Sequence, residues 1–172
     1  MFRFLVFLTL LIFSLSYGND FSVRSPAFDY GKPIPIVYTC DGKDISPEII
    51  WAHPPANTKS FVLIMDDPDA PFGTFTHWVV YDIPASVNKL PENFPKKPVV
   101  DGIKQGINDF GRIGYGGPCP PPGKPHRYFI KLYATDLKSV NLPPKAAKSQ
   151  VLKAIQGHIL SKAVYMGIYK RK

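Results

Sequence analysis

The sequence predicts a mainly β protein, with two antiparallel sheets in a β-sandwich and one or two peripheral helices. Three observations carry this. Apolar residues recur in short runs of strand length, most of them alternating with polar ones. Nineteen Pro and 13 Gly among 172 residues supply many turns and leave little room for long helices. One stretch near the C-terminus has a helical period, and it is short. The composition, 45% hydrophobic and 20% charged, excludes a disordered chain, a collagen or a repeat solenoid.

The chain opens with Arg3, an unbroken apolar run from Phe4 to Phe13, and small residues at Ser14, Ser16 and Gly18. This is the pattern of a secretory signal peptide over 1–18, cleaved after Gly18, with one domain over 19–172. The run is shorter than the ~20 residues a bilayer core needs, and no later segment is apolar enough to span. The mature protein is therefore expected to be exported, periplasmic or extracellular, with no stable membrane span.

Four runs then read as strands. Ile34–Thr39 precedes an Asp41-Gly42 turn. Phe61–Met65 is continuously apolar, as in a strand buried on both faces. His77–Ile83 alternates, with His77, Val79, Tyr81 and Ile83 on one face and Trp78, Val80 and Asp82 on the other. His126–Ala134 places His126, Tyr128, Ile130 and Leu132 on one face and Arg127 on the opposite one, where an ion pair suits it. Trp51 and Trp78 read as core anchors.

From Leu90 to Gly123 there are seven Gly and seven Pro in 34 residues and no useful period, which predicts a long binding loop. Its Gly114–Gly117 run could turn backbone N–H groups toward an anion. Beyond it, Ala147, Val151, Ile155 and Ile159 recur every four residues, predicting a helix over Lys145–Gln156 with Gly157 at its C-terminal cap. Ala163–Tyr169 reads as the last strand.

The formal net charge of +8 is concentrated. Leu137–Lys172 holds eight Lys or Arg and no acid, whereas the rest of the mature chain carries 12 basic and 13 acidic groups. Without interleaved aromatic residues this reads as a solvated helix face and basic tail, with no nucleic-acid partner. Cys40 and Cys119 lie 79 residues apart. Export permits a disulfide between them, and the spacing alone leaves the pairing open.

No nucleophile elbow, HExxH, phosphate-binding loop, EF-hand or dinucleotide fingerprint is present, which weighs against the common hydrolases and nucleotide enzymes. What remains is a set of polar groups at strand ends: Asp66, Asp67 and Asp69 after one strand, His77 opening the next, and His126, Arg127 and Tyr128 opening a third. Asp67, His77 and His126 have the donor types of a two-His-one-carboxylate metal centre, with spacings that match no metal motif. A histidine pair makes an anion site equally well, with Asp67 orienting one ring or taking an ammonium from the ligand. Asp66 reads as a turn cap, and His53 and His158 as structural or solvated.

At these residues the sequence resembles the phosphatidylethanolamine-binding protein family, in its bacterial and archaeal Raf kinase inhibitor-like branch. The match runs through Thr39-Cys40-Asp41-Gly42, Ser46-Pro47, Asp67-Pro68-Asp69-Ala70-Pro71, His77-Trp78 and Asn108-Asp109-Phe110-Gly111. It continues through Gly114-Tyr115-Gly116-Gly117-Pro118-Cys119-Pro120-Pro121, His126-Arg127-Tyr128, Gly157-His158-Ile159-Leu160 and Gly167-Ile168-Tyr169. The resemblance implies a two-sheet antiparallel fold with a small pocket for phosphate-like groups. It implies that Asp67, His77, His126 and Tyr128 line that pocket, and that Gly117, Pro118 and Pro120 supply its rim. It implies no cofactor and no catalysis. The expected ligand is phosphate or a phosphorylated headgroup such as phosphoethanolamine. The alternative is a protein-interaction module that inhibits a kinase or protease through the 90–123 loop.

Overall fold

The computed structural model describes residues 20–171, so the expected leader over 1–18 lies outside the described residues. The elements are β1 (Ser22–Arg24), β2 (Ile49–Ala52), β3 (Ser60–Asp67), β4 (Phe75–Pro84), β5 (Lys89–Leu90), β6 (Val99–Val100), β7 (Ile103–Gln105), β8 (His126–Thr135), α1 (Lys148–Ile155) and β9 (Ile159–Tyr169). Among the described residues they form two antiparallel sheets, β1-β2-β5 and β6-β7-β4-β3-β8-β9, with one α-helix, as the apolar runs predict.

The layers follow from which faces are apolar. Between the sheets lie Val23, Ile49, Trp51 and Leu90 from the small sheet. Against them pack Phe61, Leu63, Met65, Trp78, Val80, Tyr128, Ile130 and Leu132 from the large one. On the far face of the large sheet, Val151 and Ile155 of α1 cover Val62, Ile64, Val79, Tyr81 and Tyr133. Strand β3 therefore has a core on both sides, and all eight of its residues are buried.

Some expected boundaries shift, for identifiable reasons. Ile34–Thr39 is not a strand. Pro33 and Pro35 have no N–H to give a ladder, so only a single bridge from Pro33 to Ile168 forms, and Ile36–Tyr38 winds into one 3-10 turn. The 90–123 stretch is not structureless either. It holds β6 and β7, and two buried amides knit the remainder. Gln105 Nε2 donates to the carbonyls of Pro95 and Lys97 while its Oε1 accepts from Trp78 Nε1. Asn108 donates to Gly114 O and accepts from Phe110 N and Arg112 N. The helix begins only at Lys148, because Lys145, just after Pro143-Pro144, has φ +72°. Strand β9 starts earlier than expected, at Ile159.

Cys40 and Cys119 are joined by a disulfide, with Cα atoms 5.3 Å apart. Asp66 does not cap a turn. It is 3% exposed and accepts from both Lys131 Nζ and Lys148 Nζ at 2.9 Å, tying β3, β8 and the helix together on the face away from the small sheet.

Candidate functional site

Strand β3 is flanked by β4 and β8, so its C-terminal Asp67 meets the start of both neighbours. Strict alternation would give His77 the face of Val79, which belongs to the core under the helix. The pairing of β3 with β4 prevents this. It steps from Met65↔Trp78 to Asp66↔Thr76, which leaves His77 as the extra residue of a β-bulge. The bulge turns His77 to the side of Tyr128, their ring centroids 5.1 Å apart. A second slip between Phe61 and Leu63 returns Ile83 to the inter-sheet core. Strand β8 is regular, and His126 and Tyr128 share a face as expected.

Asp67, His77 and His126 are 3%, 2% and 7% exposed and line one pocket of about 420 Å³. His126 Nδ1 lies 2.7 Å from Asp67 Oδ2, and a carboxylate there accepts, so this nitrogen carries the proton. Asp67 Oδ1 in turn accepts from Asp69 N at 2.8 Å. His77 Nδ1 lies 2.7 Å from the carbonyl of Gly116 and donates to it. Both rings are thus fixed by Nδ1 and offer Nε2 to a ligand. Burial lowers the His77 pKa from the usual histidine range, opposed by the Gly116 bond and the Asp67 charge. Burial raises the Tyr128 pKa, with the Asp67 charge adding to it. The Tyr128 hydroxyl is buried with no hydrogen-bond partner among the described residues.

The walls are largely aromatic and Pro-rich. Phe75, Phe110 and His77 make a mutually edge-on or tilted cluster with centroids 4.7–5.4 Å apart. Pro71, Phe72, Cys119, Pro120 and Pro121 complete the rim, and Phe72 is wholly exposed. Asp109 also lines the pocket. Its Oδ2 accepts from Thr76 N at 2.6 Å and its own N–H donates to Thr76 O at 2.9 Å, a clamp onto the strand that carries His77.

Tyr128, expected in the lining, is not part of it and is buried against the His77 ring. Pro120 lines the pocket, whereas Gly117 and Pro118 do not and stand corrected as rim residues. Both are buried behind it. Gly117 N donates to Asp44 Oδ1, and a Cβ there would meet Tyr38 O at 2.3 Å, so the close approach needs glycine. Pro118 O accepts from Cys40 N. The expected nest of glycine N–H groups is likewise spent internally: Gly116 N donates to His77 O and Gly114 N to Gly106 O. Sequence reasoning named the Asn108–Gly111 motif without giving Asp109 or Phe110 a role. Its acidic and aromatic residues beside a turn were the available signal.

Among the described residues, no three His, Cys, Asp or Glu side chains are grouped to hold a metal, so Asp67, His77 and His126 do not form the two-His-one-carboxylate set. Arg127 points away from the pocket and makes a bidentate pair with Asp69, whose carboxyl is held down to about 2. His53 and His158 are exposed, and His158 meets Asp136 at 2.8 Å.

Comparison with known proteins gives concordant results. A family model described as phosphatidylethanolamine-binding protein matches residues 24–170. A UPF0098 protein of Aquifex aeolicus is 61% identical over 90% of this chain and 91% of its own length. A UPF0098 protein of Methanothermobacter thermautotrophicus is 47% identical over 87% of this chain and 99% of its own. Among solved structures, Escherichia coli YbcL, described as a member of the mammalian PEBP family, superposes with a TM-score of 0.83. It is 32% identical, and the match covers 90% of this chain and all of that one. The PEBP homologue CT736 of Chlamydia trachomatis gives 0.81 at 38% identity, covering 90% and 99% of the two chains.

Proposed function

The chain belongs to the phosphatidylethanolamine-binding protein family, and from that premise we propose that its pocket is a non-enzymatic receptor for a small phosphate-bearing ligand. The observation that supports this reading is the pair of buried imidazoles, each with Nδ1 anchored and Nε2 left for the ligand. A phosphate monoester has its second pKa near 6, so near that pH its monoanion can donate one hydrogen to a neutral ring while its other oxygens accept from a protonated one. Among the described residues no Lys or Arg lines the pocket, whereas Asp67 and Asp109 do. A bare dianion would find two carboxylates nearby, so a zwitterion such as phosphoethanolamine suits the charges better. Its phosphate would meet His77 and His126, and its ammonium would meet Asp109 and a ring face of the aromatic cluster.

The test is calorimetric titration of residues 19–172 with phosphoethanolamine and inorganic phosphate at pH 6 and pH 8, with His126→Ala as control. Losing one charge-assisted bond, about 1.5–3 kcal/mol, should weaken binding roughly 10- to 100-fold. No saturable heat with either ligand would overturn the reading. Export belongs to the same proposal, and the exported protein should have the mass of a chain beginning at Asn19.

The second reading, inhibition of a kinase or protease through the 90–123 segment, draws on Val99 and Ile107, which stand 43% and 39% exposed there. A captured partner that survives His126→Ala and is lost when both residues become Ser would favour it over ligand binding.

A further inference from the structure

One wall of the pocket is held unlike the others. The wall carrying Asp67 and His77 is ladder, and Asp109 is clamped to Thr76 by two bonds. The wall at Cys119, Pro120 and Pro121 belongs to the stretch 119–125, which contains four prolines and therefore only three backbone N–H groups. Among the described residues none of the seven makes a hydrogen bond or an ion pair. The backbone is secured just before it, by Pro118 O on Cys40 N and Gly117 N on Asp44, and just after it, by Arg127 N on Asp69. Within it, Pro120 alone is buried, and 121–125 are exposed. The remaining tie is the disulfide from Cys119, a lining residue, to Cys40, which is exposed.

We propose that the Cys40–Cys119 disulfide is a reversible modification site that sets the affinity of the pocket by holding or releasing this wall. The inference rests on the pocket being a receptor for a phosphate-bearing ligand. The reductant is a dithiol. One of its thiolates attacks Cys40, breaking the S–S bond and forming a mixed disulfide while Cys119 leaves as thiolate and takes a proton. The second thiol then resolves the mixed disulfide, so the dithiol is oxidised by two electrons and the protein gains two thiols. Free of its tether, the stretch from Cys119 to Pro125 has one packed proline to keep it against the ligand.

The experiment compares oxidised protein, protein reduced by dithiothreitol, and Cys40→Ser/Cys119→Ser, each titrated with phosphoethanolamine. Reduced and double-variant proteins should bind about tenfold more weakly. By linkage, saturating phosphoethanolamine should shift the thiol–disulfide equilibrium toward the disulfide by the same factor. NMR order parameters give a readout that needs no ligand. Those of Cys119, Gly123 and Lys124 should fall from about 0.85 to below about 0.6 on reduction while those of Asp67 and His77 stay. Affinity within twofold in both states, or unchanged order parameters at 119–124, overturns the proposal. If the oxidised chain binds nothing, the receptor reading falls and the affinity switch with it, and the order parameters still decide whether the disulfide holds the wall.

Discussion

His77 is buried where a charge is costly, and its titration should be visible in both stability and binding. Burial lowers its pKa in the folded protein, against the Gly116 carbonyl and the charges of Asp67 and Asp66. Between that lowered value and about 6.5, the unfolded chain binds more protons at this site than the folded one. Stability from this group is therefore full above about pH 6.5, falls as pH drops toward the folded pKa, and is constant below it. In urea unfolding, His77→Gln should flatten this part of the profile, and the same slope in both proteins would remove His77 from the account. A bound phosphate acts in the opposite sense. Its negative charge favours the protonated ring, so affinity should rise as pH falls and go on rising below 6.5. A Kd for inorganic phosphate that is flat between pH 8 and pH 5 would show that the imidazoles stay neutral in the complex. The residue types of this site were legible in the sequence, since a His opens each of two strands that flank an Asp. The fixed tautomers were not, because they depend on Gly116, 39 residues away from His77.

Strand β3 shows what periodicity can and cannot deliver. Its continuous apolar run announced burial on both faces, and the two cores confirm it. Regular alternation along β4 would put His77 on the wrong face, and the bulge breaks that alternation. A bulge is a mismatch between two strands and leaves no mark in either sequence alone. The same limit explains β6 and β7, which are only two and three residues long and exist because β4 offers them a partner. The role of Asp66 is hidden for a related reason, since its partners Lys131 and Lys148 are 65 and 82 residues away. Its burial makes a prediction for these elements. Replacing both lysines by Met should leave a carboxylate buried without a partner, at about 3–5 kcal/mol. Asp66→Asn in that background should recover part of the loss. An unchanged urea midpoint for the Lys131→Met/Lys148→Met protein would mean that water reaches Asp66 and that the tie to α1 adds nothing.

At the scale of the molecule, the disulfide is the one covalent link between the segment before β2 and the segment before β8. The sequence left the pairing open, because two cysteines 79 residues apart meet only if the intervening chain folds back, and β2 to β7 do so. Closing a loop of that length removes conformational entropy mainly from the unfolded chain, worth about 4 kcal/mol in the chain-entropy model. For a domain of this size each kcal/mol shifts the melting temperature by about 2–4 °C, so reduction should lower it by roughly 10 °C. The folded core should survive, since the two clusters that flank β3 contain neither cysteine. Far-UV circular dichroism of the reduced protein at 25 °C should therefore match that of the oxidised form, while denaturant unfolding shows the lower midpoint. A loss below about 1 kcal/mol would mean that the reduced unfolded chain already keeps the two segments close, in which case the link acts on the pocket wall and hardly on the stability of the fold.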